Sequence, residues 1–462
     1  ESAPMNLARL LRKRAEDGRP VRVGVIGAGK FSSMFLAQAR TTPGMHLLAL
    51  ADLDEGRARD ALERTGWDVD AQVTRDFDDA RRTGKTAITA DAFALIAAKP
   101  DVVVDITGNP AAAIRHCLKA FDNGCHVVNV TVEADALAGA LLAERARKAG
   151  VVYSLAYGDQ PALVCEMVDW AEACGFRVVA AGKGTKHLPV FHTSTPETVW
   201  TYFGITPENA KASGMNPQMF NSFVDGTKSA IEMTAISNST GLKAPRDGLA
   251  FPPCGADDLP LTLRPRTHGG VLEEAGLVEV VSSLEYDGRP VHRDLRWGVY
   301  VVFEAASSDA RGTYTRDCFR DYQMIRDPSG RYSAMYRSHH LVGMEVGISI
   351  AAAALRGEAT GTPEHFHSDV AATAKKALKP GDVLDGEGGY CAYGKIMRAE
   401  DSLARGALPL GLAHNIKVTR PVAQGAVLTW DDVAIAEDDA VRFRREMERK
   451  FGNASAARTA AE

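Results

Sequence analysis

No stretch of this 462-residue chain approaches the ~20 consecutive apolar residues that a membrane-spanning helix requires, so no membrane partner is expected. An excess of positive charge is missing too. The 54 Lys and Arg are outnumbered by 59 Asp and Glu, and a net charge of −5 argues against a nucleic acid held by bulk electrostatics. There is no Cys-x-x-Cys pair. The seven cysteines (Cys117, Cys125, Cys165, Cys174, Cys254, Cys318 and Cys391) are odd in number and dispersed. That excludes a zinc knuckle and a disulfide framework, and it fits reduced thiols in a cytoplasm. Low-complexity runs are absent as well. Residues Glu1 to Arg14 read as a basic amphipathic helix and not as an apolar signal core.

What is present begins with Val21-Arg22-Val23-Gly24-Val25-Ile26-Gly27-Ala28-Gly29-Lys30-Phe31-Ser32. An apolar run of this length reads as a buried parallel strand, and it enters Gly-x-Gly-x-x-Ser followed by an apolar-periodic helix. Such a turn binds a dinucleotide. Gly27 permits the tight bend, Gly29 lets the backbone approach a pyrophosphate, and the helix N-terminus supplies free N–H groups. Lys30 and Phe31, which open that helix, are expected beside the cofactor. Ser32 stands at the third glycine position, which predicts a slightly wider strand-to-helix spacing. A second apolar strand, His46 to Ala51, ends at Asp52, where an acid would hold a ribose 2′-hydroxyl.

Strands and helices then alternate to about residue 155, with an Asp- and Arg-rich insertion from Asp68 to Lys85. This order predicts right-handed crossovers and a doubly wound parallel sheet, a Rossmann α/β domain over residues 1–159. Ligands of such sheets lie at the carboxyl ends of strands. Thr107, Gly108 and Asn109 occupy one such end and are expected along the cofactor; Glu133 follows the next strand and is expected near substrate. From Gln160 the pattern changes. Helices Pro161 to Ala173, Thr227 to Thr240 and Leu341 to Leu355, with strands between them, suggest an α+β substrate and dimerisation domain over 160–360. Residues 361–440 read as a small β domain, and 441–462 as a tail that frays from Gly452.

Hydride exchange at a carbon bearing oxygen needs a proton-exchanging group and cationic donors for the developing charge. Lys183 and Lys186 follow a strand end in a Gly-rich turn, where either would touch substrate unless the turn is merely solvated. Lys228 and Glu232, spaced i,i+4, share a helix face; they form either a surface ion pair or a buried acid–base couple. Asp159, with Glu166 seven residues on, would either hold a divalent metal or cap the following helix. Asp before Gln-Pro favours the cap. Arg337 is read as an anion anchor and His340 as a substrate contact, against the alternative of a capped helix start. His339-His340 lacks the i,i+4 spacing of a zinc helix.

Gly24-Val-Ile-Gly-Ala-Gly29, Asn129-Val-Thr-Val-Glu-Ala-Asp135, Tyr153-Ser-Leu-Ala-Tyr-Gly-Asp-Gln-Pro161, Ala181-Gly-Lys-Gly-x-Lys186 and Asp225-Gly-Thr-Lys-x-x-x-Glu-Met233 together carry a resemblance. With the C-terminal β module, they resemble the homoserine-dehydrogenase-like oxidoreductases bearing a C-terminal SAF domain. The best-known member class is the type II, reductoisomerase-like form of 1-deoxy-D-xylulose 5-phosphate reductoisomerase. The resemblance implies NAD(P)-dependent chemistry on a small polyhydroxylated or phosphorylated keto or hydroxy substrate, by retro-aldol and aldol rearrangement followed by hydride transfer. Lys183, Lys186, Lys228, Glu232 and Asp159 would be the catalytic set. Asp52 departs from the NADPH preference of that class and favours NAD, with NADP as the alternative. Glu133-Ala134-Asp135 replaces the Glu-Lys-Pro of sugar dehydrogenases, whose lysine mechanism is therefore disfavoured. A divalent metal stays open, and a homodimer or higher homo-oligomer is expected. The rival readings are an NAD-dependent dehydrogenase, or an enzyme with tightly bound NAD, acting on a sugar-derived intermediate, and a non-catalytic nucleotide- or carbohydrate-binding protein.

Overall fold

Val21–Ile26 (β1) is buried along nearly its whole length, as a central parallel strand of Val and Ile must be. The computed structural model describes residues 6–212, 215–305 and 314–459. Beside β1 lie Met45–Ala51 (β2), Val73–Thr74 (β3), Thr86–Thr89 (β4), Val102–Asp105 (β5), His126–Asn129 (β6) and Tyr153–Leu155 (β7). Their order is β3-β4-β2-β1-β5-β6-β7, and every pairing is parallel. The doubly wound sheet is thus present. The chain runs outward from β1 in both directions, so the switch point lies between β1 and β5, where such sheets open a ligand crevice. The Asp- and Arg-rich insertion is ordered structure: β3 is the sheet's edge strand, and Asp68 and Asp76 cap the short helices Val69–Gln72 and Phe77–Thr83. Ser32 is fully buried.

Contacts divide the chain into two compact units, residues 1–163 with 341–364, and residues 164–340 with 365–462. Residues 341–364 belong to the first unit because Val346, Ile350 and Ala351 join the core beside Val21, Phe35 and Val104. The helix expected from Leu341 begins only at Gly347 and runs to Arg356. Gly343 explains the delay. It has φ +75°, and a Cβ there would lie 2.9 Å from the Phe31 carbonyl oxygen.

In the second unit Arg177–Thr185 (β8), Leu277–Ser282 (β9), Val299–Glu304 (β10) and Tyr332–Arg337 (β11) form a mixed sheet ordered β11-β10-β8-β9. Tyr336 and Arg337 therefore end a strand. The helix Thr227–Thr240 has the predicted bounds. It packs on β9, β8 and two further strands, Ser368–Ala374 (β12) and Ala392–Arg398 (β14). (Val383–Asp385, β13, lies between these in sequence.) Enclosure on both sides explains why Ile231, Met233, Ala235 and Ile236 are all buried without a polar stripe opposite them. Each large apolar side chain so enclosed contributes about 1.5–3 kcal/mol. β13 pairs with His414–Val418 (β15), which pairs with Val433–Ala434 (β16).

Asp439–Thr459, in the stretch read as a tail, is one helix. Its Arg444 is fully buried and donates to both Asp369 oxygens, at 3.0 and 2.6 Å, and to Glu448 at 2.9 Å. The guanidinium also lies 5.1 Å from the Phe366 ring centre. Removing one partner from so buried a pair costs about 3–5 kcal/mol, so the pair fixes this turn of the helix.

Candidate functional site

In the first unit the dinucleotide turn is built as its residue types require. Gly27 sits at φ +105°, and a Cβ there would lie 2.8 Å from the Ile106 carbonyl oxygen, so only glycine fits. Gly29 is the N-cap of the helix Lys30–Ala39. A Cβ there would meet no atom within 4 Å; the backbone faces open space at a helix N-terminus, which suits a pyrophosphate. Lys30 is exposed and Phe31 half-buried in the first turn. Asp52 lies just past β2. One carboxylate oxygen accepts from the Ala28 N–H at 2.8 Å and the other from the Asp54 N–H at 3.0 Å, with Arg57 4.0 Å away. The acid therefore braces the turn.

The strand end beside this turn carries Thr107, Gly108 and Asn109. Asn109 accepts from the Ala112 N–H at 2.9 Å and so caps the helix Pro110–Asp122. Thr107 donates its hydroxyl to Asp105 at 2.8 Å, and the Gly108 N–H donates to Thr131 at 3.1 Å. Glu133 is half-buried in the first turn of the helix Val132–Ala149. Two residues on, Asp135 is fully buried and accepts from the Tyr153 hydroxyl at 3.1 Å. Burial raises its carboxyl to about 7, against the hydrogen bond from Tyr153. Asp159 accepts from the N–H of Gln160, the first residue of the helix Gln160–Ala173, at 3.0 Å. Among the described residues no three His, Cys, Asp or Glu side chains gather as a metal set.

In the second unit Lys183, on β8, is buried and forms an ion pair with Glu232 of the helix Thr227–Thr240. The i,i+4 spacing suggested Lys228 as the partner of Glu232. Packing of the helix on the sheet brings Lys183 to it instead, while Lys228 is half-buried on the same helix. Lys183 faces Val299 across the β8–β10 pairing, and Val299 faces Arg337 across β10–β11. Residues directly opposite project to one face, so Lys183 and Arg337 share a face, about 10 Å apart by two strand spacings. Lys186 donates to the Tyr202 carbonyl, and burial, followed by the nearby Arg296 charge, lowers its pKa. His340 donates through Nδ1 to the Trp297 carbonyl at 2.6 Å.

Several buried polar residues escaped the sequence reading. Lys375, just past β12, reaches Asp225 at 2.7 Å and the carbonyls of Ser194 and Gly389 at 2.8 and 2.7 Å. Asp225 in turn accepts from the Thr227 N–H at 2.9 Å, at the start of the Glu232 helix. His192 donates to the Asp225 carbonyl at 2.8 Å and stacks on Tyr393. His187 stacks on Phe251 with ring centres 3.9 Å apart, and burial lowers its pKa to about 3. Asp225 lies inside the Asp-Gly-Thr-Lys-x-x-x-Glu motif, whose lysine and glutamate carry the plainer chemical signal.

Fold and turn together define a protein that binds a nicotinamide dinucleotide, and the comparisons agree. Residues 23–155 match the homoserine dehydrogenase NAD-binding domain. Residues 158–346 match the catalytic domain described as oxidoreductase DRL. The chain is thus an NAD(P)-dependent oxidoreductase. Neither description names a reductoisomerase or a SAF domain, and residues 347–462 fall outside both matches. No curated protein matches. Among solved structures, a probable dehydrogenase from Thermotoga maritima is 14% identical, covering 73% of this chain and 90% of its own, with TM-score 0.37. A dipicolinate-bound dihydrodipicolinate reductase from Paenisporosarcina sp. TG-14 is 13% identical, covering 72% and 94%, with TM-score 0.31. An inositol dehydrogenase homolog from Azotobacter vinelandii, complexed with NADH and myo-inositol, is 20% identical, covering 39% and 46%, with TM-score 0.27.

Proposed function

We propose that this oxidoreductase uses NAD(H) to act on a small polyhydroxylated or phosphorylated keto or hydroxy substrate, with Lys183 as the group that meets the reacting oxygen. The observation that carries the reading is the buried Lys183–Glu232 pair on the strand-and-helix scaffold of the oxidoreductase match. An ammonium fixed by a carboxylate is a preorganised donor for an oxygen that gains charge as hydride arrives, and a proton source when it becomes a hydroxyl. Glu232 orients Lys183. Arg337, on the same face of the sheet, would hold an anionic end of the substrate. Bound NAD(H) supplies or accepts the hydride. Gly29 and the first turn of its helix receive the pyrophosphate, and Asp52 receives the ribose hydroxyls. A 2′-phosphate would meet the Asp52 carboxylate, which supports NAD over NADP.

The decisive experiment follows oxidation of NADH and of NADPH on incubation with 1-deoxy-D-xylulose 5-phosphate, for the wild type and Lys183→Met. Turnover lost in the variant supports the reductoisomerase-like reading. No oxidation with either cofactor removes that reading and leaves simple dehydrogenation of a sugar-derived intermediate, the rival that Asp52 favours. A variant that turns over like wild type shows Lys183 to be structural.

A further inference from the structure

Asp105 ends β5 as the one charged residue of an otherwise apolar strand, and it is completely buried. A carboxylate there must be satisfied by donors, and four converge on it. Oδ1 accepts from the Thr107 N–H at 3.1 Å, the Thr107 hydroxyl at 2.8 Å and the Thr131 hydroxyl at 2.6 Å. Oδ2 accepts from His116 Nδ1 at 2.7 Å. Three further elements supply these donors: the loop after β5, the start of the helix after β6, and the middle of the helix Pro110–Asp122. Thr131 passes the connection on, because its hydroxyl accepts the Gly108 N–H at 3.1 Å while donating to Asp105. The Thr107–Gly108 backbone is therefore fixed from below at two consecutive N–H groups.

That backbone is also what the dinucleotide turn rests on. A Cβ on Gly27 would lie 2.8 Å from the Ile106 carbonyl oxygen and 3.4 Å from the Thr107 nitrogen. The turn and the loop are in van der Waals contact, so a loop that relaxes by a few tenths of an ångström takes away the floor of the turn. Asp105, His116 and Thr131 are themselves all buried.

We infer that the buried Asp105–His116–Thr131 cluster is a positioning device for nicotinamide dinucleotide binding, holding the 106–108 loop against the Gly27 turn. It acts through geometry, so the conservative residue that keeps the hydroxyl should keep the function. The test is NADH binding by fluorescence titration, with thermal unfolding measured alongside, for Thr131→Val, Thr131→Ser and His116→Leu. Loss of a hydrogen bond to a buried carboxylate predicts about tenfold weaker NADH binding for Thr131→Val and His116→Leu. Thr131→Ser should bind within about threefold of wild type, since the hydroxyl remains. Thr131→Val is nearly isosteric, so its unfolding midpoint reports whether affinity fell in a folded protein. Wild-type affinity in Thr131→Val, or affinity in Thr131→Ser as weak as in Thr131→Val, overturns the inference. A wild type that binds neither NADH nor NADPH would instead overturn the cofactor reading on which it rests.

Discussion

At the level of single residues Gly27 is tightly constrained. Alanine there faces both a positive φ and a carbonyl oxygen closer than any real Cβ contact. Gly27→Ala should cost about 1–3 kcal/mol of stability and should weaken NADH binding; a denaturant melt and a titration together check both. Asp52 makes a different prediction. Asp52→Ser removes the like-charge repulsion that faces a 2′-phosphate but also a brace on the Ala28 N–H. The ratio of NADPH to NADH affinity should rise even though both weaken, and a ratio that stays fixed would deny Asp52 its role in cofactor choice. The glycines and Asp52 were legible in the sequence because a backbone constraint or a strand-end acid has a local signature. The partner of Glu232 was not. Helical spacing pointed to Lys228, four residues away, whereas Lys183 comes from a strand 49 positions earlier in the chain, and only packing brings it there. Asp105 did leave a trace, a carboxylate closing the run Val102-Val103-Val104, but its donors are scattered from residue 107 to 131.

At the level of elements, the helix Thr227–Thr240 has the bounds that its sequence predicted, yet what holds its start in place lies far away. Asp225, at the corner before the helix, binds the Thr227 N–H and Lys375. Besides this ion pair, Lys375 donates to the carbonyls of Ser194 and Gly389. Gly394 adds a bond from its N–H to the Thr227 hydroxyl at 2.8 Å. Lys375 and Gly394 both belong to the C-terminal β module. The hydrogen bonds make it a scaffold for the helix that carries Glu232. Lys375→Met leaves Asp225 as a buried, unpaired carboxylate, which costs about 3–5 kcal/mol. The double variant Lys375→Met/Asp225→Asn should recover part of that loss, and a double variant no more stable than the single one would contradict the pairing.

Across the whole molecule, buried ionisable groups pull stability in opposite directions with pH. His187 keeps its neutral form in the fold down to about pH 3, whereas an unfolded histidine takes up a proton near 6.5. Its contribution is therefore complete above about 6.5 and is lost as pH falls toward 3. Asp135 and Glu279 are raised to about 7 by burial, in Glu279 despite three backbone N–H donors. Their contribution is complete below an unfolded value of about 4 and is lost as pH rises through 7. Glu279→Gln should thus gain thermal stability relative to wild type between pH 5 and 8; a constant difference would mean that this carboxyl does not titrate with folding. The Lys375–Asp225 contact carries a last consequence, one of timing. Asp225 leaves the ribosome 150 residues before Lys375 does, an interval of roughly 8–30 s at ordinary elongation rates. For that interval the nascent helix has neither its anchoring lysine nor the β12 and β14 strands that cover it. Its apolar faces are then open to chaperones, and a fragment cut at the end of the matched catalytic stretch would remain in that exposed state permanently.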